Sequence, residues 1–127
     1  MAKLRHIAIS VPDKERAARF YENAFGLKRM SQSEVSVRLS DGTVNLTVLQ
    51  FRDEGDAGDE RGKDFVGLHH FGVMVDDLED SRRAIEENGG TFHPGPTAHN
   101  PENSEHKFRD PYGIVFDLST AAWPGTK

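Results

Sequence analysis

The chain has 127 residues, the usual size of one domain and long enough to bury a core. Charged residues make up 29% of it and the formal charge is −5, which argues against nucleic acid and anionic membranes as partners, since both attract basic surfaces. There is no cysteine, which excludes a disulfide framework, a thiolate metal site and a cysteine nucleophile, and no apolar run approaches the ~20 residues that span a bilayer.

The N-terminus enters a strand pattern at once, without a signal-peptide apolar region, so a cytoplasmic protein is expected. That first strand, Leu4 to Val11, leads to Asp13, whose short carboxylate suits a helix N-cap. Ala17, Phe20, Tyr21, Ala24 and Phe25 then follow i, i+3, i+4 spacing and predict one buried helical face, closed at Gly26. Asp41-Gly42 marks a hairpin turn between later strands. Asp53 to Asp64 is acidic and glycine-rich, lacks the ligand spacing of a calcium hand, and reads as a solvated linker.

The pattern then repeats. Leu68-x-His70 followed by Val75-x-Asp77 matches Leu4-x-His6 followed by Val11-x-Asp13. Asp77 takes the N-cap place, a helix from about Leu78 to Asn88 turns Leu78, Ala84 and Ile85 inward, and Gly89-Gly90 ends it. Pro94 to Glu105 is polar, has three prolines and no period, and reads as a long loop. Asp110-Pro111-Tyr112-Gly113 is a turn into the last strand. Each copy is thus β, α, then three strands: module one about 1–52, a linker 53–66, module two about 67–119 and a tail 120–127, all in a single domain.

Side chains alternate along a strand, which divides each into two faces. Ile7, Ile9 and Val11 share one face of the first strand, and His6, Ala8 and Ser10 the other. In the repeat Phe71, Val73 and Val75 oppose His70, Gly72 and Met74. Bulky residues on one side suit a helix; a histidine beside Ala8 or Gly72 on the other leaves room for a cavity. In the last strand Ile114, Phe116 and Leu118 oppose Val115, Asp117 and Ser119, and a buried carboxylate such as Asp117 needs a partner. Two imidazoles and one carboxylate with open positions suit Fe(II), Mn(II) or Zn(II) when substrate must also coordinate. His69 falls on the opposite face and reads as structural. His93, His99 and His106 surround the long loop; Phe51, Phe92, Phe108 and Trp123 read as core or dimer packing; Arg109 is the candidate for holding an anionic substrate.

The sequence resembles the vicinal oxygen chelate superfamily, which includes glyoxalase I, extradiol dioxygenases, fosfomycin-resistance thiol transferases and bleomycin-resistance proteins. The resemblance covers nearly the whole chain and rests on His6 in Arg-His-Ile-Ala-Ile-Ser-Val-Pro-Asp, on Arg19-Phe20-Tyr21-Glu22-Asn23-Ala24-Phe25-Gly26-Leu27, on His70 ahead of Val75-Asp76-Asp77-Leu78, and on Asp110-Pro111-Tyr112-Gly113-Ile114-Val115-Phe116-Asp117. It implies an α+β fold in which two βαβββ modules form a curved, mixed, eight-stranded sheet with helices on its outer face. It implies metal ligands at His6, His70 and Asp117, the last standing where the family usually has glutamate. The further glutamate of glyoxalase I-like members falls on Asn45 or Thr47, depending on register. Ala8 stands where fosfomycin-resistance enzymes carry threonine, and no arginine follows Asp117.

What the resemblance implies is a metal-dependent enzyme of lyase, isomerase or dioxygenase type. Its substrate would chelate a divalent Fe, Mn, Ni or Zn ion through vicinal oxygens, with Asn45, Thr47, Ala8, Gly72 and Arg109 expected to support the ligands or touch the substrate. No side chain stands out as general base. The alternative is a metal-free protein that sequesters a drug or natural product, as bleomycin-resistance members do. A homodimer is expected on the same ground.

Overall fold

The computed structural model describes residues 1–95, the backbone of 99–100, and residues 105–127. Module one runs β1 (Lys3–Ser10), α1 (Lys14–Phe25), β2 (Lys28–Gln32), β3 (Ser36–Ser40) and β4 (Asn45–Leu49). A one-turn helix, α2 (Glu54–Ala57), lies in the connecting stretch. Module two runs β5 (Gly67–Met74), α3 (Leu78–Glu87), β6 (Thr91–Phe92), β7 (His99–Asn100), β8 (Glu105–Arg109) and β9 (Val115–Ser119). Both helices start as expected: Asp13 accepts from the Arg16 amide at 3.0 Å and Asp77 from the Asp80 amide at 2.8 Å. Gly26, at φ 72°, ends α1 in the left-handed region that glycine enters without steric cost. At the last turn the Asp110 carboxylate accepts from the Tyr112 and Ile114 amides at 2.8 and 3.0 Å.

The strands form one mixed sheet in the order β2-β3-β4-β1-β5-β9-β8-β6, and β7 pairs with β8. The sheet is the curved, unclosed one of the expected fold, with one added two-residue strand. β1 runs parallel to β4 and β5 parallel to β9; the modules join within one chain where β1 meets β5 antiparallel. Residues 96–98 and 101–104 of the predicted long loop, and the side chain of His99, lie outside the described residues. Among the described residues no helix is long and apolar enough to cross a membrane.

Each module has its own core. Ile9, Val37, Leu39 and Val48 from the sheet close on Ala18 of α1, with Ala17 and Tyr21 beside them. Val75, Phe108, Phe116 and Leu118 form the second, flanked by Leu78 and Ile85 of α3. The helical faces differ from the expected ones. Phe20 is 58% exposed and Phe25 69%, while Ala18 is wholly buried, because α1 lies on the sheet along its small residues and leaves its rings to pack on one another. Ala84 likewise faces outward.

This burial separates two truncations. Leu39→Ala is expected to cost about 2–5 kcal/mol of unfolding free energy, the usual range for a buried leucine. Phe20→Ala, on the exposed side of α1, is expected to cost under about 1 kcal/mol in the same urea titration.

Candidate metal centre

Register fixes the site. Across β1 and β5, His6 is paired with Gly72 and Ala8 with His70; Gly72 is paired in turn with Asp117 of β9, and Asp117 with Lys107 of β8. All of these side chains rise from the face opposite the helices. His6 Nε2 stands 3.3 Å from His70 Nε2 and 3.7 Å from Asp117 Oδ2, and His70 Nε2 stands 2.9 Å from that same oxygen. The three expected donors therefore converge, and aspartate is long enough to reach.

Each donor is held from behind. Asn45 Nδ2 donates to the Pro124 carbonyl at 3.0 Å, which turns Asn45 Oδ1 toward His6 Nδ1 at 2.9 Å and Thr47 Oγ1 at 2.7 Å. An oxygen only accepts, so His6 Nδ1 carries the proton and Nε2 presents its lone pair, the tautomer a metal needs. Pairing settles the register left open in the sequence: Ala8 is matched to Thr47 as Gly72 is to Asp117, so Thr47 stands in the place of the further glutamate, and Asn45, paired with His6, acts on that imidazole. Asp117 Oδ1 accepts from Lys107 Nζ at 2.6 Å. Its other oxygen is buried and, despite its nearness to His70, lies outside hydrogen-bond geometry.

That orphaned oxygen tests the fit of an ion. Donors set at right angles about 2.1 Å from a common ion stand roughly 3 Å apart. The observed separations bracket that value at their short end, and the set contains two imidazole nitrogens and a carboxylate. The residues fit a divalent cation.

Electrostatics support the same state. Burial, and then the neighbouring His70, push His6 down to about 4 from the ordinary 6.5, so its ring is neutral at pH 7. Burial by itself would raise Asp117, but His70 and Lys107 outweigh it and hold the carboxyl well below the usual range. Burial would lower Lys107, yet Asp117 and Glu60 keep the ammonium raised. Glu105 moves up, through burial and then the charge of Asp117.

Several residues outside the expected set line the same cavity of about 340 Å³: Arg38, Glu60, His69, Glu105 and Lys107. His69 was expected on the other face. The β1 pairing skips it, since Ala8 is matched to His70 and Ile9 to Leu68, and this β-bulge turns two successive histidines to one side. His69 Nδ1 lies 2.8 Å from His70 Nδ1 and 3.1 Å from Glu60 Oε2, a second brace behind a donor histidine. Glu60 comes from the stretch read as a solvated linker, but its side chain is 3% exposed and also meets Lys107 Nζ at 3.2 Å. The linker is thus a wall of the site.

Three expected contacts lie elsewhere. Ala8 is wholly buried beneath the cavity floor. The room beside Gly72 is filled by Trp123, which a Cβ there would meet at 2.8 Å. Trp123 stacks on His6 with ring centroids 4.9 Å apart and planes 4° from parallel, and its Nε1 donates to Glu105. Arg109 donates to His93 Nδ1 at 3.0 Å and to the Gly113 carbonyl at 2.8 Å, away from the cavity. His93 also meets Asp59 at 3.0 Å, which makes it a packing residue.

The sequence matches the glyoxalase/bleomycin resistance protein/dioxygenase superfamily over residues 3–118. It is 34% identical to human mitochondrial methylmalonyl-CoA epimerase over 86 residues, 61% of this chain and 49% of that protein, so the match spans about half the length of the human relative. Among solved structures it is similar to a methylmalonyl-CoA epimerase bound to methylmalonyl-CoA and ammonium, with TM-score 0.69 and 20% identity over 100% of this chain and 99% of that one. The epimerase of Mycobacterium tuberculosis gives 0.66 and 20% over 95% and 88%. The 2,3-dioxygenase LapB of Pseudomonas sp. KL28 gives 0.69 and 18% over 98% and 42%. At these identities the structural likenesses speak for the fold alone.

Two outcomes follow from this packing. Gly72→Ala forces a methyl against Trp123 and His6 and is expected to cost about 1–3 kcal/mol in urea unfolding. His6 and His69 both titrate near 4 when folded, against 6.5 in an unfolded chain, so the unfolded state takes up protons first as pH falls. Their contribution to the metal-free protein's stability is complete above about pH 6.5 and is lost on the way to about 4. The urea midpoint should fall across that window, with a shallower slope in His6→Gln.

Proposed function

The chain belongs to the glyoxalase/bleomycin resistance protein/dioxygenase superfamily, and from that premise we propose that it is a divalent-metal-dependent enzyme acting on a small substrate that chelates the ion through two oxygens. The observation that carries this reading is the convergence of His6 Nε2, His70 Nε2 and the unbonded Asp117 Oδ2 at the wall of an open cavity. When bound, a divalent ion supplies polarisation of a substrate oxygen and stabilises negative charge that builds on it. Fe, Mn, Ni and Zn all suit two imidazoles and a carboxylate.

The protein's own groups favour the isomerase class over the dioxygenase class. Asn45 holds His6 in one tautomer, and His69 with Glu60 orients His70. Lys107 fixes Asp117 by one oxygen and leaves the other facing the imidazoles. Glu105 lines the cavity, and its carboxyl, raised above the ordinary carboxylate range by burial and by Asp117, is the group placed to give and take a proton. The Trp123 indole holds that carboxyl in place. A proton shift at a carbon next to a polarised carbonyl needs these elements, and the similarity to a human epimerase points the same way. The homodimer is carried as part of the same proposal, with light scattering its direct measure.

Elemental analysis of protein purified without a metal-affinity tag tests the centre. About one equivalent of a divalent metal is expected, with His70→Ala and Asp117→Asn retaining little. No metal, and no uptake of Mn(II), Fe(II), Ni(II) or Zn(II), overturns the reading in favour of a sequestering protein. The reaction class is read separately, by NMR, from deuterium uptake at C2 of methylmalonyl-CoA in D2O by the metal-loaded protein. Glu105→Gln should keep its metal and lose on the order of 100-fold in that rate. Loaded protein that drives no exchange sinks the isomerase assignment.

A further inference from the structure

Of the two cationic side chains that line the cavity, Lys107 has internal counter-charges and Arg38, among the described residues, has none. Across module two, Gly72 of β5 is paired with Asp117 of β9, and Asp117 with Lys107 of β8. His6 and His70 are repeat-equivalent, so the corresponding row in module one is Ala8 of β1, Thr47 of β4 and Arg38 of β3. In module two the row closes on itself, with the Lys107 ammonium 2.6 Å from Asp117 and 3.2 Å from Glu60. In module one the place of Asp117 is taken by a neutral threonine whose hydroxyl is given to Asn45. Arg38 lines the cavity, half-buried, and among the described residues its guanidinium has neither a hydrogen bond nor a carboxylate partner. The alternation of β3 puts it there: Val37 and Leu39 enter the core, so Ser36, Arg38 and Ser40 face the other way.

We propose that Arg38 is a specificity-determining residue that binds a carboxylate of the substrate, distal to the two oxygens that chelate at the His6, His70 and Asp117 centre. The inference rests on that centre for the chelating end only. The row continues from Arg38 through Thr47 and Ala8 to His70, three strand spacings or about 14 Å between the outer Cα atoms. Both end side chains reach into the cavity over the short Thr47 and Ala8, which leaves room between them for a bridge of a few carbon atoms. The planar guanidinium fork matches a carboxylate in two parallel hydrogen bonds. A singly charged group suits the site better than a phosphate dianion, because Asp56, Glu60 and Glu105 line the same cavity.

The matched probes are 2-oxoglutarate and 2-oxopentanoate, which share an oxo-acid chelating head and differ in a distal carboxylate against a methyl. Isothermal titration of the full chain loaded with Ni(II) is expected to show 2-oxoglutarate binding about tenfold or more tighter. Arg38→Gln should bring 2-oxoglutarate down to the affinity of 2-oxopentanoate while leaving the latter and the metal content unchanged, and Arg38→Lys should keep part of the preference. A wild-type protein with no preference, or an Arg38→Gln variant that keeps it, overturns the inference. The same titrations on metal-free protein separate the two proposals. Arg38-dependent binding of the dicarboxylate by a chain that takes up no metal sustains this inference and sinks the metal centre. A chain that loads metal but shows no Arg38-dependent preference does the reverse.

Discussion

The antiparallel register between β1 and β5 is the constraint on which the site depends. His6 faces Gly72 and Ala8 faces His70, so each imidazole stands opposite a residue with almost no side chain. Two rings on neighbouring strands can approach within hydrogen-bond distance only where their cross-strand partners are that small. A slip of β5 by one residue would carry His70 to the helix-packed face and bring Phe71 into the cup beside His6. The bulge at His69 takes up the extra residue without shifting His70, and it converts what would be a helix-facing ring into a brace.

The second constraint is charge in a dry place. A lone buried carboxylate at Asp117 would be costly, and pairing it on both oxygens would leave nothing for an ion. Lys107 resolves this by satisfying one oxygen while Glu60 shares the same ammonium. The modules differ in that respect. Module two is internally neutralised around its acidic residue, whereas module one offers amide, hydroxyl and guanidinium groups in the equivalent rows. A duplicated scaffold thereby carries the His6, His70 and Asp117 cluster beside a neutralised acidic row in one half and uncharged or cationic groups in the other.

The scaffold and the donor triangle were legible because both follow from period and repetition. Alternation assigns His6, His70 and Asp117 to one face, and the repeated Leu-x-His and Val-x-Asp frames align the first two. Lys107 and Arg38 carried the same signal, since each adjoins core residues of its strand, Phe108 for Lys107 and Val37 with Leu39 for Arg38. Arg109 shares the parity of Lys107 but lies one step nearer the turn, where the Gly113 carbonyl captures it. His69 was misplaced because a bulge breaks alternation locally. Glu60 and Trp123 carried no periodic signal at all. An acidic, glycine-rich stretch and a short tail reveal their burial only once the sheet they fold over exists.

Trp123 is the chain's single tryptophan, and it lies flat on the ring of His6 while its N–H rests on Glu105. The protein therefore carries one indole fluorophore, which can be excited apart from its two tyrosines and lies against the His6 imidazole and a cavity carboxyl. An open-shell ion such as Ni(II) or Co(II) at that imidazole would drain its excited state, whereas Zn(II) would leave it bright. Occupancy of the centre, and the electronic kind of its occupant, can be followed by the light of the unlabelled chain.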